Sequence, residues 1–314
     1  GGLLGTLGLW FGLLIPVLFI ALGHRHLHRF WVDSGLGNWL RAPRMELSGA
    51  GALVLLFGVL ALALLYFGAL APKNISFDTH MYHLGLAEEW AHLGAIQRAQ
   101  EGWFVETLPQ LTAMIFTWPL LVPGLDYFEQ IALVAHTEFL LFLWTLISIP
   151  IVVRWLIPGE RTGLSWVAML TFPSLYLYDS GLVSGSDHIA AFFALPILVS
   201  LRHAWNLRPA NCALLALMLA CAILTKYQAF SLALAPILII VFRAGYLAFE
   251  QFKGRGAESI RGIPLWLLGP ATAFLVGLVC TSPHWLKNWL WYGDPLYPAL
   301  HHYFDLTPWQ ADAS

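Results

Sequence analysis

The stretch FDTHMYHLGLAEEW, residues 77–90, follows soon after a long apolar run at 48–70 and decides how the chain is interpreted. It is the densest group of ionisable side chains in a sequence with few charges. In an α-helix, which turns by about 100° per residue, its apolar side chains fall on one stripe: Tyr82, Leu86, Trp90 and Leu93. The opposite face holds Asp78, Gly85, Glu88, Glu89 and His92. This pattern predicts a helix lying on a membrane surface, with its acidic face toward water.

The composition of the whole chain is that of a membrane protein. Of its 314 residues, 59% are hydrophobic and only 11% are charged, whereas a soluble domain carries about 25% charged residues. The fifteen Trp residues fit the aromatic belts found at membrane interfaces. We therefore expect an all-α, polytopic transmembrane helix bundle, with membrane lipid around it and no nucleic-acid partner.

The apolar runs predict about eight spans, at 3–23, 48–70, 128–153, 163–178, 187–203, 211–225, 228–243 and 263–282. If each run crosses once, twelve of the sixteen Lys and Arg residues lie on one side of the membrane. The positive-inside rule makes that side cytoplasmic. This sorting requires two short helices that meet at Lys226, because one fused helix from 211 to 243 would break it.

The other side of the membrane then receives most of the acidic residues. It holds the first outer loop, 71–127, in which residues 111–122 are too short to span and predict a second juxtamembrane helix. We expect residues 1–314 to form a single transmembrane domain that is incomplete at one or both ends.

Asp78 is the sharpest candidate for chemistry. It follows the 48–70 span by about eight residues, at the boundary where a carboxylate can be tuned as a general base. The alternative is that Asp78 caps the helix that follows it.

Asp187 and Lys226 are two further candidates at predicted outer turns. Glycine and serine residues before Asp187 would allow a ligand close to the backbone, although Asp187 could instead cap a helix. Lys226 could pair with a phosphate or anchor a helix end by snorkelling. No metal is required, but a divalent ion is an alternative, and its ligands would be Asp78, His80, His83, Asp187 and His188.

Four stretches together resemble GT-C type integral membrane glycosyltransferases, closest to the bacterial enzymes that transfer mannose or aminoarabinose from polyprenyl phosphate. The first is Phe77-Asp78-x-x-x-Tyr82-His83 with Ala87, Trp90 and Gly94. The others are Pro109–Gly124, Leu224-Thr225-Lys226-Tyr227, and Ser282-Pro283-x-x-x-Lys287-Asn288 with Gly293-Asp294-Pro295-x-Tyr297-Pro298. The resemblance covers roughly residues 48–300. The chain departs from the family in its additional apolar run 3–23 and in lacking the paired acids that some members have in the first loop.

The resemblance implies a reaction and a set of residues. A sugar would pass from a polyprenyl-phosphate donor to an acceptor hydroxyl by a single inverting displacement. Asp78 would be catalytic, with Asp187 as a supporting acid, and no cofactor would be needed. The substrate would be bound by His80, Tyr82, His83, Glu89, Lys226, Tyr227, His284, Lys287 and Asn288. The site would face the periplasm from a bacterial inner membrane.

Two other classes of protein stay open. A non-catalytic subunit of a larger membrane assembly could use the same fold to pack against partner subunits. A secondary transporter is the third alternative, although it should show repeated halves and ionisable residues at mid-membrane.

Overall fold

The computed structural model describes residues 17, 21, 24, 28, 49–70, 79–98, 104–157, 167–172, 185–254, 259–260, 262–297, 300 and 302–304. Most of these residues are helical. The chain divides into two compact units, one formed by Gly1–Ile96 and Ile115–Ser184, the other by Gln97–Met114 and Gly185–Ser314.

Four helices in the described residues are long and apolar enough to cross a membrane, which indicates an integral membrane protein. They are Gly49–Ala69, Tyr127–Val153, Tyr227–Phe252 and Leu265–Tyr292. Long apolar helices are thus confirmed at four of the predicted runs, 48–70, 128–153, 228–243 and 263–282, whereas the prediction of about eight spans is not confirmed. The run 3–23 lies outside the described residues apart from isolated positions, and only 167–172 of the run 163–178 is described, as helix.

The first unit is built around α1, Gly49–Ala69, and α4, Tyr127–Leu156. On α1, the buried residues Gly58, Ala61 and Leu65 share one stripe. A Cβ on Gly58 would lie 2.6 Å from the carbonyl oxygen of Leu170, so the glycine allows the helical segment 167–172 to pack closely. Leu65, two turns further along α1, packs in an apolar cluster with Phe142 and Leu146 of α4.

The start of α4 is fixed by a capping box. The backbone N–H of Glu129 donates to Asp126, and the backbone N–H of Asp126 donates to the Glu129 carboxylate, at 2.8 and 2.9 Å. Together these bonds satisfy two amide groups that a helix start leaves without partners. The start of this predicted span is therefore well defined.

The segment 71–127, predicted to be the first outer loop, contains the two predicted short helices, α2 at Leu84–Leu93 and α3 at Leu111–Leu120. A π-helix at Thr79–His83 precedes α2 and shifts the phase of the stripe, because its hydrogen bonds run from i to i+5. The buried residues of α2 are Leu84, Leu86, Ala87 and Trp90. Leu93 is 45% exposed, and the apolar stripe is buried in protein rather than laid on lipid as the sequence predicted.

The second unit contains α5 at Ser186–Phe192, α6 at Ala194–Ala204, α7 at Pro209–Thr225, α8 at Phe230–Phe252 and α9 at Leu265–Tyr292. A β-hairpin pairs Ser259–Ile260 with Ile263–Pro264 before α9. The hairpin is a small exception to the expected all-α fold. The run 187–203 forms two short helices instead of one span, since a turn at Phe193 separates α5 from α6.

The predicted break at Lys226 is confirmed. Lys226 has an extended backbone (φ −161°, ψ 138°), and its amide N–H still bonds to Ala222 at the end of α7. A short 3-10 turn, Tyr227–Ala229, then leads into α8. The last helix, α9, runs ten residues beyond the predicted end at 282, so His284, Lys287 and Asn288 lie within its final turns.

The packing of α9 against α7 depends on Gly269. A Cβ at this position would collide with the carbonyl oxygen of Leu207 and lie 3.0 Å from the Cys212 sulfur. Leu207 has a positive φ of 54° and is fully buried. The turn between α6 and α7 therefore approaches α9 as closely as two backbones allow.

Candidate functional site

Asp78, the proposed general base, lies outside the described residues. The next described residue, Thr79, lies in the π-helix of the first unit. In that turn His80 is exposed and His83 is buried, and the rings of Tyr82 and His83 lie 4.3 Å apart. Glu89 follows in α2 and is partly buried. The substrate contacts proposed for these four residues stay predictions.

In the second unit the structure joins Asp187 and Lys226 directly. The Lys226 ammonium donates to both oxygens of the Asp187 carboxylate, at 2.9 and 3.1 Å. Asp187 lies in the first turn of α5 and Lys226 follows the last residue of α7. Each charge therefore complements the partial charge of its own helix end.

This ion pair is open to solvent on its acidic side. The Asp187 side chain is 76% exposed and that of Lys226 is 26% exposed. An exposed pair contributes only about 0–1 kcal/mol, so another anion can compete for Lys226 at little cost. A phosphate that offers more acceptor oxygens is a suitable competitor.

Tyr227 and His284 form the next contact at this end of the unit. The Tyr227 hydroxyl and His284 Nε2 lie 2.8 Å apart, and the two rings meet edge to face at 5.7 Å. Tyr227 belongs to the short turn after Lys226, whereas His284 projects from α9. This bond holds the Tyr227 side chain against the final turns of α9.

Lys287 and Asn288 bind the 3-10 turn Phe104–Thr107. The Lys287 ammonium donates to the backbone carbonyl of Glu106 and, at 3.0 Å, to Gln110 Oε1. The Asn288 amide donates to the carbonyl of Thr107 at 2.7 Å. These donors are engaged within the protein, which gives Lys287 and Asn288 a structural role. Their proposed contacts with substrate stay predictions.

Glu106 is the residue that the sequence did not single out. Its side chain is 2% exposed and accepts a hydrogen bond from the hydroxyl of Tyr292, at the end of α9. We call Glu106, Thr107, Lys287, Asn288 and Tyr292 the Glu106 network. Its partners are separated by about 180 residues along the chain, so no local motif could have revealed it.

A metal site is not apparent in the part of the chain that the structure describes. No group of three or more His, Cys, Asp or Glu side chains there is placed to hold an ion. His188, one of the proposed ligands, is buried. The proposed set also needs Asp78, so the metal alternative stays a prediction.

Comparison with known proteins finds no matching family model, curated protein or solved structure. The site is therefore interpreted from its own chemistry. In the second unit that chemistry is a lysine with a weakly held counter-ion, next to a tyrosine–histidine pair, at the ends of apolar helices.

Proposed function

We propose that the chain is a membrane glycosyltransferase that moves a sugar from a polyprenyl-phosphate carrier to an acceptor hydroxyl. The observation that carries the proposal is the ion pair between Lys226 and Asp187. It places an accessible ammonium at the break between two apolar helices, and one of them, α8, belongs to a candidate span. The phosphate of a lipid carrier lies at that depth when its chain is in the membrane.

The Lys226 ammonium is suited to bind the phosphate of the donor. The pair with Asp187 orients the Lys226 ammonium before a phosphate arrives. An arriving phosphate replaces Asp187 as the partner of the Lys226 ammonium. The exposed Asp187 carboxylate is then hydrated. The Tyr227 hydroxyl follows in the chain and is a second donor when His284 carries its proton on Nε2 and donates to the Tyr227 oxygen. Such preplaced donors favour the charge that develops on a leaving group.

The proposed reaction is one inverting displacement. The acceptor hydroxyl transfers its proton to the Asp78 carboxylate as its oxygen attacks the anomeric carbon. The new bond joins that oxygen to the anomeric carbon, and the bond from the carbon to the phosphate oxygen breaks. Its electron pair leaves with the polyprenyl phosphate, which Lys226 stabilises. No nucleotide or cofactor takes part, and positioning of the two substrates supplies much of the rate.

Lys226→Gln tests the proposal against a matched variant, Lys253→Gln. Lys253 follows the other end of α8, where its ammonium lies over the ring of Phe249. The purified chain in lipid nanodiscs is supplied with radiolabelled polyprenyl-phosphate hexoses and pentoses, and with membrane lipids as acceptors. We expect Lys226→Gln to lower the rate of transfer by roughly a hundredfold, the order found on loss of a preplaced donor. Lys253→Gln should transfer at the wild-type rate. Equal transfer rates for the two variants would show that Lys226 takes no part in the reaction.

A second candidate function is that of a non-catalytic subunit in a membrane assembly. The Glu106 network favours it, because the donors of Lys287 and Asn288, two residues proposed to bind substrate, are engaged within the protein. A subunit of this kind would transfer no sugar from any donor and would support the same assembly with glutamine at 226. The transfer assay separates the two functions.

A further inference from the structure

A cavity of about 340 Å³ lies in the first unit. The second half of α2, the end of α3 and the first turn of α4 surround it. Its lining residues are Glu88, Ala91, His92, Leu120, Tyr127 and Gln130. Volumes of about 300–1,000 Å³ are typical of small-molecule sites, so this cavity has room for one small ring.

One wall of the cavity is held by a hydrogen bond between α2 and α4. The Tyr127 hydroxyl donates to Glu88 Oε1 at 2.6 Å. This bond fixes the orientation of the carboxylate and uses only one of its two oxygens. Within the described residues, Glu88 Oε2 has no hydrogen bond and remains available to a ligand.

Two further polar side chains of the cavity are also uncommitted. His92 lies one turn after Glu88 on α2, and Gln130 lies one turn after Tyr127 on α4, so each pair shares a helix face. Neither the His92 ring nor the Gln130 side-chain amide has a hydrogen bond to any residue that the structure describes. Ala91 and Leu120 complete the lining with apolar surface.

This set of groups fits a neutral, hydroxylated ligand. The carboxylate oxygen accepts from hydroxyl groups, whereas the amide and the imidazole can both accept and donate. Among the lining residues that the structure describes, Glu88 alone carries a full negative charge, and none is Lys or Arg. A phosphate or carboxylate ligand would therefore be repelled.

The cavity also borders the start of a candidate membrane span. Tyr127 and Gln130 belong to the first turns of a candidate span, Tyr127–Val153. An aromatic residue at such a position is typical of the membrane interface. A ligand that binds here is therefore exposed to water while it stays close to the lipid.

We propose that the cavity binds a single neutral sugar ring through Glu88, His92 and Gln130. Its assignment as the acceptor subsite of the transferase rests on the proposed function. The proposed binding of a sugar does not depend on that function.

The test is equilibrium binding to the full chain in phosphatidylcholine nanodiscs, measured by calorimetry and saturation-transfer NMR. The probes are D-glucose, D-mannose, D-galactose, L-arabinose and myo-inositol, with ethanolamine and inorganic phosphate as charged comparisons. Three variants are compared with the wild type: Glu88→Gln, Gln130→Leu and Glu129→Gln. The last is the matched control, because the Glu129 carboxylate is used in the capping box and Gln can replace it there.

We expect at least one of the neutral probes to saturate the wild type. Glu88→Gln should weaken its binding roughly fivefold, because a hydrogen bond to a charged acceptor is replaced by a neutral one. Gln130→Leu should weaken binding about tenfold, since both amide contacts are lost. Glu129→Gln should bind like the wild type.

Three results would overturn the sugar site: no neutral probe saturates, both cavity variants bind like the wild type, or ethanolamine binds more tightly than every sugar. The transferase proposal fails separately. If sugar binding depends on Glu88 but the chain has no transfer activity, the sugar site stands and the transferase proposal fails. Transfer that is unaffected by both variants would leave the transferase and the binding site, and would remove the assignment of the cavity as the acceptor subsite.

Discussion

At the scale of single residues, the described lysines divide into different roles. Lys226 has an exposed acidic partner that a ligand can displace, whereas Lys287 is enclosed by a backbone carbonyl and an amide oxygen. A carbonyl oxygen of the main chain cannot turn away to water as an aspartate side chain can. We therefore expect substitution of Lys226 to affect activity first, and substitution within the Glu106 network to affect stability first.

Tyr292→Phe tests the structural role of the Glu106 network. The change keeps the buried ring, over which Arg98 lies at 5.5 Å, and removes the hydroxyl that donates to Glu106. A buried carboxylate oxygen then loses a donor, and the unfolding free energy should fall by about 1–3 kcal/mol.

The measurement for Tyr292→Phe is thermal unfolding in nanodiscs, followed by intrinsic tryptophan fluorescence. Tyr303→Phe is the control, because the Tyr303 side chain is 82% exposed and its hydroxyl can bond to water. A Tyr292→Phe chain that unfolds at the same temperature as Tyr303→Phe would contradict a stabilising role for the network.

At the scale of secondary-structure elements, the sequence predicted well what periodicity and composition control. Long apolar runs became long helices, and the charge sorting placed the break at Lys226 where α7 ends. The π-helix at Thr79–His83 could not be predicted, since it shifts a helix stripe without any marker residue. The turn at Phe193 was also missed, because the run 187–203 is apolar on both sides of it.

Gly269→Ala tests the close packing of α9. The added methyl group would meet the carbonyl of Leu207, and a main-chain atom cannot move aside as a flexible side chain can. We expect a loss of about 1–3 kcal/mol from overpacking, seen as a lower unfolding temperature in nanodiscs.

Gly277→Ala on the same helix is the matched control for Gly269→Ala, since a Cβ at Gly277 meets no atom within 4 Å. Alanine is the better helix former by up to about 1 kcal/mol, so Gly277→Ala should keep or slightly raise the unfolding temperature. Equal unfolding temperatures for the two variants would show that Gly269 is not under steric constraint.

At the scale of the whole molecule, the sequence predicted a membrane protein, and four long apolar helices agree with that. It also predicted that Asp78, Asp187, Lys226, His284, Lys287 and Asn288 lie on the outer side of the membrane, which stays a prediction. It did not predict that Lys287 and Asn288 bind residues about 180 positions away, because such contacts follow from the packing of distant helices. The cavity beside Glu88 was missed for the same reason.

The central claim is that the Asp78 carboxylate, in the predicted first outer loop, removes a proton from the acceptor during sugar transfer. The most direct measurement compares the initial rate of transfer from polyprenyl-phosphate sugars by wild-type chain and by Asp78→Asn, both in nanodiscs with equal unfolding temperatures. Because asparagine cannot take up the proton, we expect the rate to fall by roughly 100- to 10,000-fold, with an inverted anomeric configuration in the wild-type product. Transfer by Asp78→Asn at the wild-type rate would contradict the account.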